Sequence, residues 1–221
     1  MTAKVVLFDF DGTIADTYNA IVKITNQLSS EFGYKLLNEE ELLLLKNLSS
    51  REIVKLSEIS IFKIPFLVRR VRTELSKEIA NLSPIPDIIP VLWELQNRGY
   101  TLGIVTSNII ENVEVFLHKN QIYSLFSHIH PTSSIFGKHR VIDRVIKNNR
   151  FERERVIYVG DETRDIRSAR RSQIGIVSVS WGFNSGEILQ EYKPDYLVNS
   201  PSELLLAIED CYARKSAIEV N

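Results

Sequence analysis

The stretch Val5-Val6-Leu7-Phe8-Asp9-Phe10-Asp11-Gly12-Thr13 decides the fold: an apolar run that ends in two carboxylates one residue apart. A short run rich in β-formers and broken by Asp-Gly reads as a buried strand followed by a turn. Asp9 then falls at or near the end of the strand and Asp11 in the loop beyond it, the edge at which open α/β sheets collect their ligands. Two acids this close repel one another when both are ionised, so the pair asks for a cation or a shared proton. The alternative, for this segment alone, is a plain strand and an ordinary Asp-Gly turn.

Outward from this run, similar short stretches recur at Leu102-Gly103-Ile104-Val105-Thr106, Val156-Ile157-Tyr158-Val159-Gly160 and Ile174-Gly175-Ile176-Val177-Ser178-Val179. Each reads as a buried strand. Between and around them lie amphipathic segments, Val91 to Arg98, Glu111 to Lys119, Val141 to Asn148 and Thr163 to Ser172, with apolar residues at three- and four-residue intervals. This alternation predicts an α/β fold, a Rossmann-like parallel sheet with helices on both faces and right-handed crossovers. Tyr196-Leu197-Val198 adds a possible edge strand, and Pro201 to Ala213 a closing helix.

From about Thr17 to Ser83 the alternation stops, leaving helical patterns at Tyr18 to Phe32, Glu39 to Leu48, Arg51 to Ile59 and Pro65 to Leu82. This segment is expected to be an all-helical insert. Gly33, Ser49-Ser50 and Pro65 punctuate it, and Ser83-Pro84-Ile85-Pro86 reads as a stiff extended connection out of it. The predicted division is therefore a core of residues 1–16 and 84–221 and a helical domain of residues 17–83.

The chain has 221 residues, 44% of them hydrophobic, enough for one large domain or a core with a smaller insert. With 27 basic and 28 acidic residues it carries no electrostatic footprint for nucleic acid or an anionic membrane. The single cysteine, Cys211, has no partner within the chain, which points to a reducing compartment. There is no leader pattern and no apolar run of membrane-spanning length, so a cytoplasmic protein is expected, and no pattern speaks to oligomeric state.

Two later strand ends carry polar groups toward the same edge of the sheet. Thr106-Ser107-Asn108 offers a hydroxyl and main-chain amides where a helix begins, a favourable place for an anion and equally an ordinary helix cap. Gly160-Asp161-Glu162-Thr163-Arg164-Asp165 crowds three acids into a strand-to-helix turn. Capping accounts for one of them. A second acidic cluster at the same edge favours coordination of magnesium, Mg2+, over capping alone.

In order along the chain, Asp9-Phe10-Asp11-Gly12-Thr13 with Asp16, then Thr106, then Lys138 after Phe136-Gly137, then Gly160-Asp161 with Asp165, resemble the four motifs of the haloacid dehalogenase superfamily. The helical insert after the first motif is similar to the cap of the phosphoglycolate phosphatase-like and phosphomutase-like branch. The resemblance implies Asp9 as nucleophile and Asp11 as general acid and then base. It implies Mg2+ held by Asp9 and Asp161 with the main-chain carbonyl of Asp11, and Asp165 as a further ligand or as an acceptor behind the ligands. Thr106, Ser107 and Lys138 are implied as the groups that hold the phosphoryl oxygens.

The chain departs from the pattern in having His139 after Lys138, where proline is common, and in the highly charged Glu162-Thr163-Arg164. What the resemblance implies is a magnesium-dependent phosphatase for a small phosphorylated metabolite, phosphoglycolate first. A sugar phosphomutase built on the same acid pair, and a regulatory binding protein that keeps the fold without turnover, are the alternatives. Arg51, Arg69 and Arg70 are the insert residues that would meet a substrate carboxylate or phosphate, against the simpler reading of each as an exposed surface charge.

Overall fold

Strands β1 (Val5–Phe8), β2 (Thr101–Thr106), β3 (Phe126–Pro131), β4 (Val156–Gly160), β5 (Gly175–Val179) and β6 (Tyr196–Val198) form one sheet, in the order β3-β2-β1-β4-β5-β6. Every neighbouring pair is parallel. The computed structural model describes residues 3–57, 59–132 and 137–218. From β1 the chain builds outward through β2 and β3, then crosses back to lay β4 on the other side of β1. The order reverses between β1 and β4, and the crevice beyond their carboxyl ends is where such sheets bind ligands.

Helices cover both faces, as the alternation of strand and helix predicts. On one face α6 (Ile88–Asn97), α7 (Ile110–Lys119) and α11 (Pro201–Ile218) contribute Leu92, Phe116 and Ile208 to a core with Val6 and Phe8. On the other, α8 (Lys138–Asn149), α9 (Thr163–Arg171) and α10 (Gly186–Glu191) pack Ile142, Ile166 and Leu189 against Val5 and Leu7. Successive side chains of a strand point to opposite faces, so Val5 and Leu7 share one face and Val6 and Phe8 the other. The main chain keeps this pairing one residue past β1, because Asp9 N donates to Val159 O at 2.8 Å. Asp9 therefore falls on the face of α8 and α9.

The segment between β1 and α6 contains α1 (Tyr18–Gln27), α2 (Ser29–Phe32), α3 (Glu39–Leu45), α4 (Ser50–Leu56) and α5 (Ile64–Glu78). Its described residues hold no strand of their own. The helix expected from Tyr18 to Phe32 is interrupted at Leu28, and Gly33, at φ +77°, ends it. The one expected from Pro65 to Leu82 begins at Ile64, with Pro65 in the first turn where its missing N–H is harmless, and closes with a short 3₁₀ turn at Ile79–Asn81. The helix expected over Arg51 to Ile59 is α4, and Glu58 lies outside the described residues. Asp16 N donates to Ser83 O and Ile85 N to Ile14 O, each at 2.9 Å, so the outgoing and returning chains run side by side.

Two elements depart from the sequence expectation. β3 was not anticipated because Phe126-Ser127-His128-Ile129-His130-Pro131 is an edge strand, half-exposed and polar at alternate positions, without the apolar run that marks a buried strand. α10 is only six residues long, too short for a periodic signal. Among the described residues, no helix is long and apolar enough to cross a membrane.

Phe10 and Phe116 meet edge to face at 5.2 Å between ring centroids, both fully buried beneath the loop that carries Asp11. Phe116→Ala is expected to lower unfolding stability by about 3–5 kcal/mol, read from urea denaturation.

Candidate functional site

The first loop is a single tight turn. Phe10 O accepts from Thr13 N, Ile14 N and Ala15 N at 3.0–3.3 Å, and Gly12 sits at φ +74°, in the left-handed region. A side chain at Gly12 would also collide with Asp161, since an added Cβ would lie 2.5 Å from Asp161 Oδ2. The turn thus brings the first acidic loop against the fourth strand's end. Thr13 Oγ1 donates to Asp161 Oδ1 at 2.8 Å, and Phe183 N donates to Asp161 Oδ2 at 2.7 Å, which fix that carboxylate from two sides.

Lys138 opens α8 on the same stripe as Ile142, Val145 and Ile146, so a helix face that is otherwise apolar carries its ammonium inward. Its Nζ donates to Asp9 Oδ2 and to Asp165 Oδ1, both at 2.6 Å, with all three side chains at most 2% exposed. Asp165 stands in the first turn of α9 and also accepts from Glu162 N through Oδ2 at 3.1 Å. It therefore caps the helix and binds the lysine at once. Oxygen atoms of Asp9, Asp161 and Asp165 lie within 4.8 Å of one another.

This concentration of charge is felt in the proton affinities. Burial, then the charges of Glu162, Asp9 and Asp165, push the Asp161 carboxyl well above the usual carboxylate range. Burial outweighs the pull of Lys138 and raises Asp165 to about 6. For Lys138 the balance is reversed: burial disfavours its charge, but Asp165 and Asp9 together hold its pKa above the ordinary value. Asp11 rises to about 7, chiefly by burial and then by the charge on Asp9, with a hydrogen bond from Asn108 working against both.

Three buried carboxylates around one lysine leave negative charge in excess, and every donor in the group is a hard oxygen. That set suits a divalent cation of the magnesium or calcium type.

Asp11, Ser107 and Asn108 line a cavity of about 270 Å³, closed on its far side by Leu67, Val71, Arg72 and Leu75 of α5. Asn108 Nδ2 donates to both oxygens of Asp11 at 3.0 and 3.1 Å. The orientation of that amide is set by Asn112, whose Nδ2 donates to Asn108 Oδ1 at 2.9 Å. Thr106 is fully buried, and its hydroxyl accepts from Asn108 N at 2.9 Å. Asp16 is exposed and stands apart from the cluster.

The α3–α4 connection closes over the crevice. Lys46 Nζ donates to Gly182 O at 3.2 Å, Asn184 Nδ2 to Leu48 O at 2.9 Å, and Ser50 Oγ to Glu162 Oε2 at 2.9 Å. Arg51 and Arg69 are exposed, while Arg70 is engaged by Glu31 and Glu74.

Arg72, Gly182 and Phe183 join the site without having been singled out from the sequence, and Asn108, expected as part of a strand end or helix cap, proves to hold Asp11. An added Cβ at Gly182 would lie 2.1 Å from Asp161 Oδ2, a constraint that exists only once β4 and the loop after β5 are side by side.

Comparison with known proteins gives a coherent picture. A family model described as haloacid dehalogenase-like hydrolase matches residues 6–179. The phosphoglycolate phosphatase of Synechococcus elongatus is 35% identical over 205 residues, spanning 93% of this chain and 97% of that one. The pyrophosphatase PpaX of Oceanobacillus iheyensis is 25% identical over 217 residues, 96% of this chain and 100% of its own. Among solved structures, a predicted phosphatase from Clostridium acetobutylicum superimposes with a TM-score of 0.81 at 22% identity, covering 95% of this chain and all of that one.

Lys138→Met removes the ammonium shared by two buried carboxylates, and the folded protein is expected to lose about 3–5 kcal/mol at neutral pH in urea denaturation. Asp165 takes up a proton near pH 6 when folded, above its ordinary value, so acidification relieves the buried charge. The deficit should narrow as the pH is lowered through that region.

Proposed function

Since the chain belongs to the haloacid dehalogenase-like hydrolases, we propose that it is a magnesium-dependent phosphatase that transfers the phosphoryl group of a small metabolite to Asp9 and then to water, with phosphoglycolate the first candidate substrate. One observation carries this reading. Asp9, at the end of β1, is one of three buried carboxylates grouped closely enough to hold a metal ion, and two residues on stands Asp11, whose carboxyl is pushed up to about 7 by burial and the charge of Asp9. The likeness to the Synechococcus phosphoglycolate phosphatase over nearly the whole of both chains supports the choice of substrate.

In the first step a carboxylate oxygen of Asp9 attacks phosphorus, the bond from phosphorus to the ester oxygen breaks, and Asp11 gives its proton to the departing oxygen. In the second, Asp11, now a carboxylate, takes a proton from water as that water attacks the aspartyl-phosphate. Inorganic phosphate leaves and the Asp9 carboxylate returns. Asn108 holds Asp11 in place throughout by bonding both of its oxygens. The ammonium of Lys138, the Thr106 hydroxyl and Ser107 offset charge on the phosphoryl oxygens.

Asp9, Asp161 and Asp165, with the main-chain carbonyl of Asp11, are the residues that would hold Mg2+, and the bound ion supplies the positive charge that lets an anionic nucleophile meet an anionic phosphoryl group. Residues 17–83 serve as the cap on a core of residues 1–16 and 84–221. In support, both parts line the cavity, and the chain passes between them at one place only, where its two crossings are hydrogen-bonded to each other. Closing the cap keeps bulk water from the reacting centre.

Asp9→Asn should abolish magnesium-dependent phosphate release from p-nitrophenyl phosphate while leaving the thermal unfolding transition in place; activity retained by that variant refutes the reading. The protonated form of Asp11 is the one that can act as acid, and it is lost as the pH rises through about 7. Above that point kcat/KM for phosphoglycolate, whose leaving oxygen needs a proton, should fall about tenfold per pH unit. For p-nitrophenyl phosphate, whose leaving group departs unaided, the fall should be shallower, and parallel profiles for the two substrates would remove Asp11 from the acid role.

A further inference from the structure

Arg72 stands in the cavity wall, where its guanidinium feels the charge of Asp11 without pairing with it. It lies on α5 between Val68 and Leu75, four residues before and three after, on a stripe continued by the buried Ile79. A charge at that place in an apolar stripe points at whatever the stripe covers. Here the stripe covers the cavity that Asp11, Ser107 and Asn108 line from below.

The Nη2 of Arg72 is buried and has no hydrogen-bond partner among the described residues. The neighbouring arginines are placed differently, since Arg69 faces solvent and Arg70 is held by Glu31 and Glu74. The other charges on the cavity wall are already engaged: Glu162 pairs with Arg164, and Asp11 is held by Asn108. A buried guanidinium donor left unmatched is destabilising, and a second anion in the cavity would satisfy it.

We propose that Arg72 forms an anion subsite for the end of the substrate remote from the reacting phosphoryl group. The preferred substrates are then small phosphate esters or anhydrides that carry a second anionic group, a carboxylate or another phosphate. The inference rests on the phosphatase reading of the same cavity and narrows it to a substrate class. Leu67, Val71 and Leu75 beside it on α5 offer a substrate tail no hydrogen bond, so on that side of the cavity Arg72 is the group that can hold one.

The test compares phosphoglycolate, inorganic pyrophosphate and the neutral-tailed 2-hydroxyethyl phosphate on the wild type, Arg72→Met and Arg72→Lys. Methionine keeps an unbranched apolar stem and removes the charge. In the wild type, kcat/KM should favour an anionic substrate over 2-hydroxyethyl phosphate. In Arg72→Met that ratio should fall about 10- to 150-fold, carried mainly by KM, as for the loss of one charge-assisted hydrogen bond. Arg72→Lys should recover part of it. A loss confined to phosphoglycolate identifies a carboxylate as the bound group, and one confined to pyrophosphate identifies a phosphate. An equal loss on all three substrates, with the ratio unmoved, overturns the subsite and leaves Arg72 a packing role.

If the wild type hydrolyses p-nitrophenyl phosphate but none of the three, the choice of substrate has failed while the phosphatase reading stands, and calorimetry still decides the subsite. Phosphoglycolate should then bind the wild type more tightly than it binds Arg72→Met, and equal affinities overturn the proposal.

Discussion

Placing Asp9, Asp161 and Asp165 out of water within 4.8 Å of one another is the electrostatic constraint around which the rest of the protein is arranged. Like charges at that distance in a poorly polarisable interior cannot all be ionised without cations to match. Lys138 supplies one and is itself stable in the interior only because two carboxylates receive it. Each member is buried on account of the others, and the set is one that could hold a metal ion. The close approaches of Gly12 and Gly182 to Asp161 follow from the same demand, because the loops that fence the cluster have to come within contact distance of a carboxylate.

The sheet makes this arrangement possible by its order. Reversal of the strand sequence between β1 and β4 opens a crevice at which two strand ends present carboxylates to a common point. The alternation of side chains along β1 then sends Asp9 toward α8 and α9, while Phe10 turns to the opposite face and packs on Phe116. One residue more or fewer in β1 would exchange the two, burying the acid among aromatic rings.

Much of this was legible before any coordinates. The buried strands announced themselves as short apolar runs, and the acids at their ends as groups that a stable interior does not keep without a reason. Lys138 enters through the ordered motifs alone, yet its placement four residues before Ile142 already puts it on the apolar side of α8. Arg72 carries a comparable signal, a charge in the stripe of Val68 and Leu75, masked by the nearby Arg69, which is exposed, and Arg70, which pairs with Glu31 and Glu74. β3 escaped because an edge strand has one flank in solvent and tolerates histidine and serine. Gly182 and Phe183 act through contacts with a residue more than twenty positions away in sequence, and nothing local marks them.

The paired hydrogen bonds that tie Asp16 to Ser83 and Ile14 to Ile85 have an architectural consequence. Because departure and return occur on neighbouring backbones, the sheet is indifferent to how much chain lies between those two points, and the entropy of closing a longer excursion rises only with the logarithm of its length. The polypeptide there behaves as a socket: whatever is plugged into it can lengthen, shrink or be exchanged over evolutionary time without disturbing the sheet underneath.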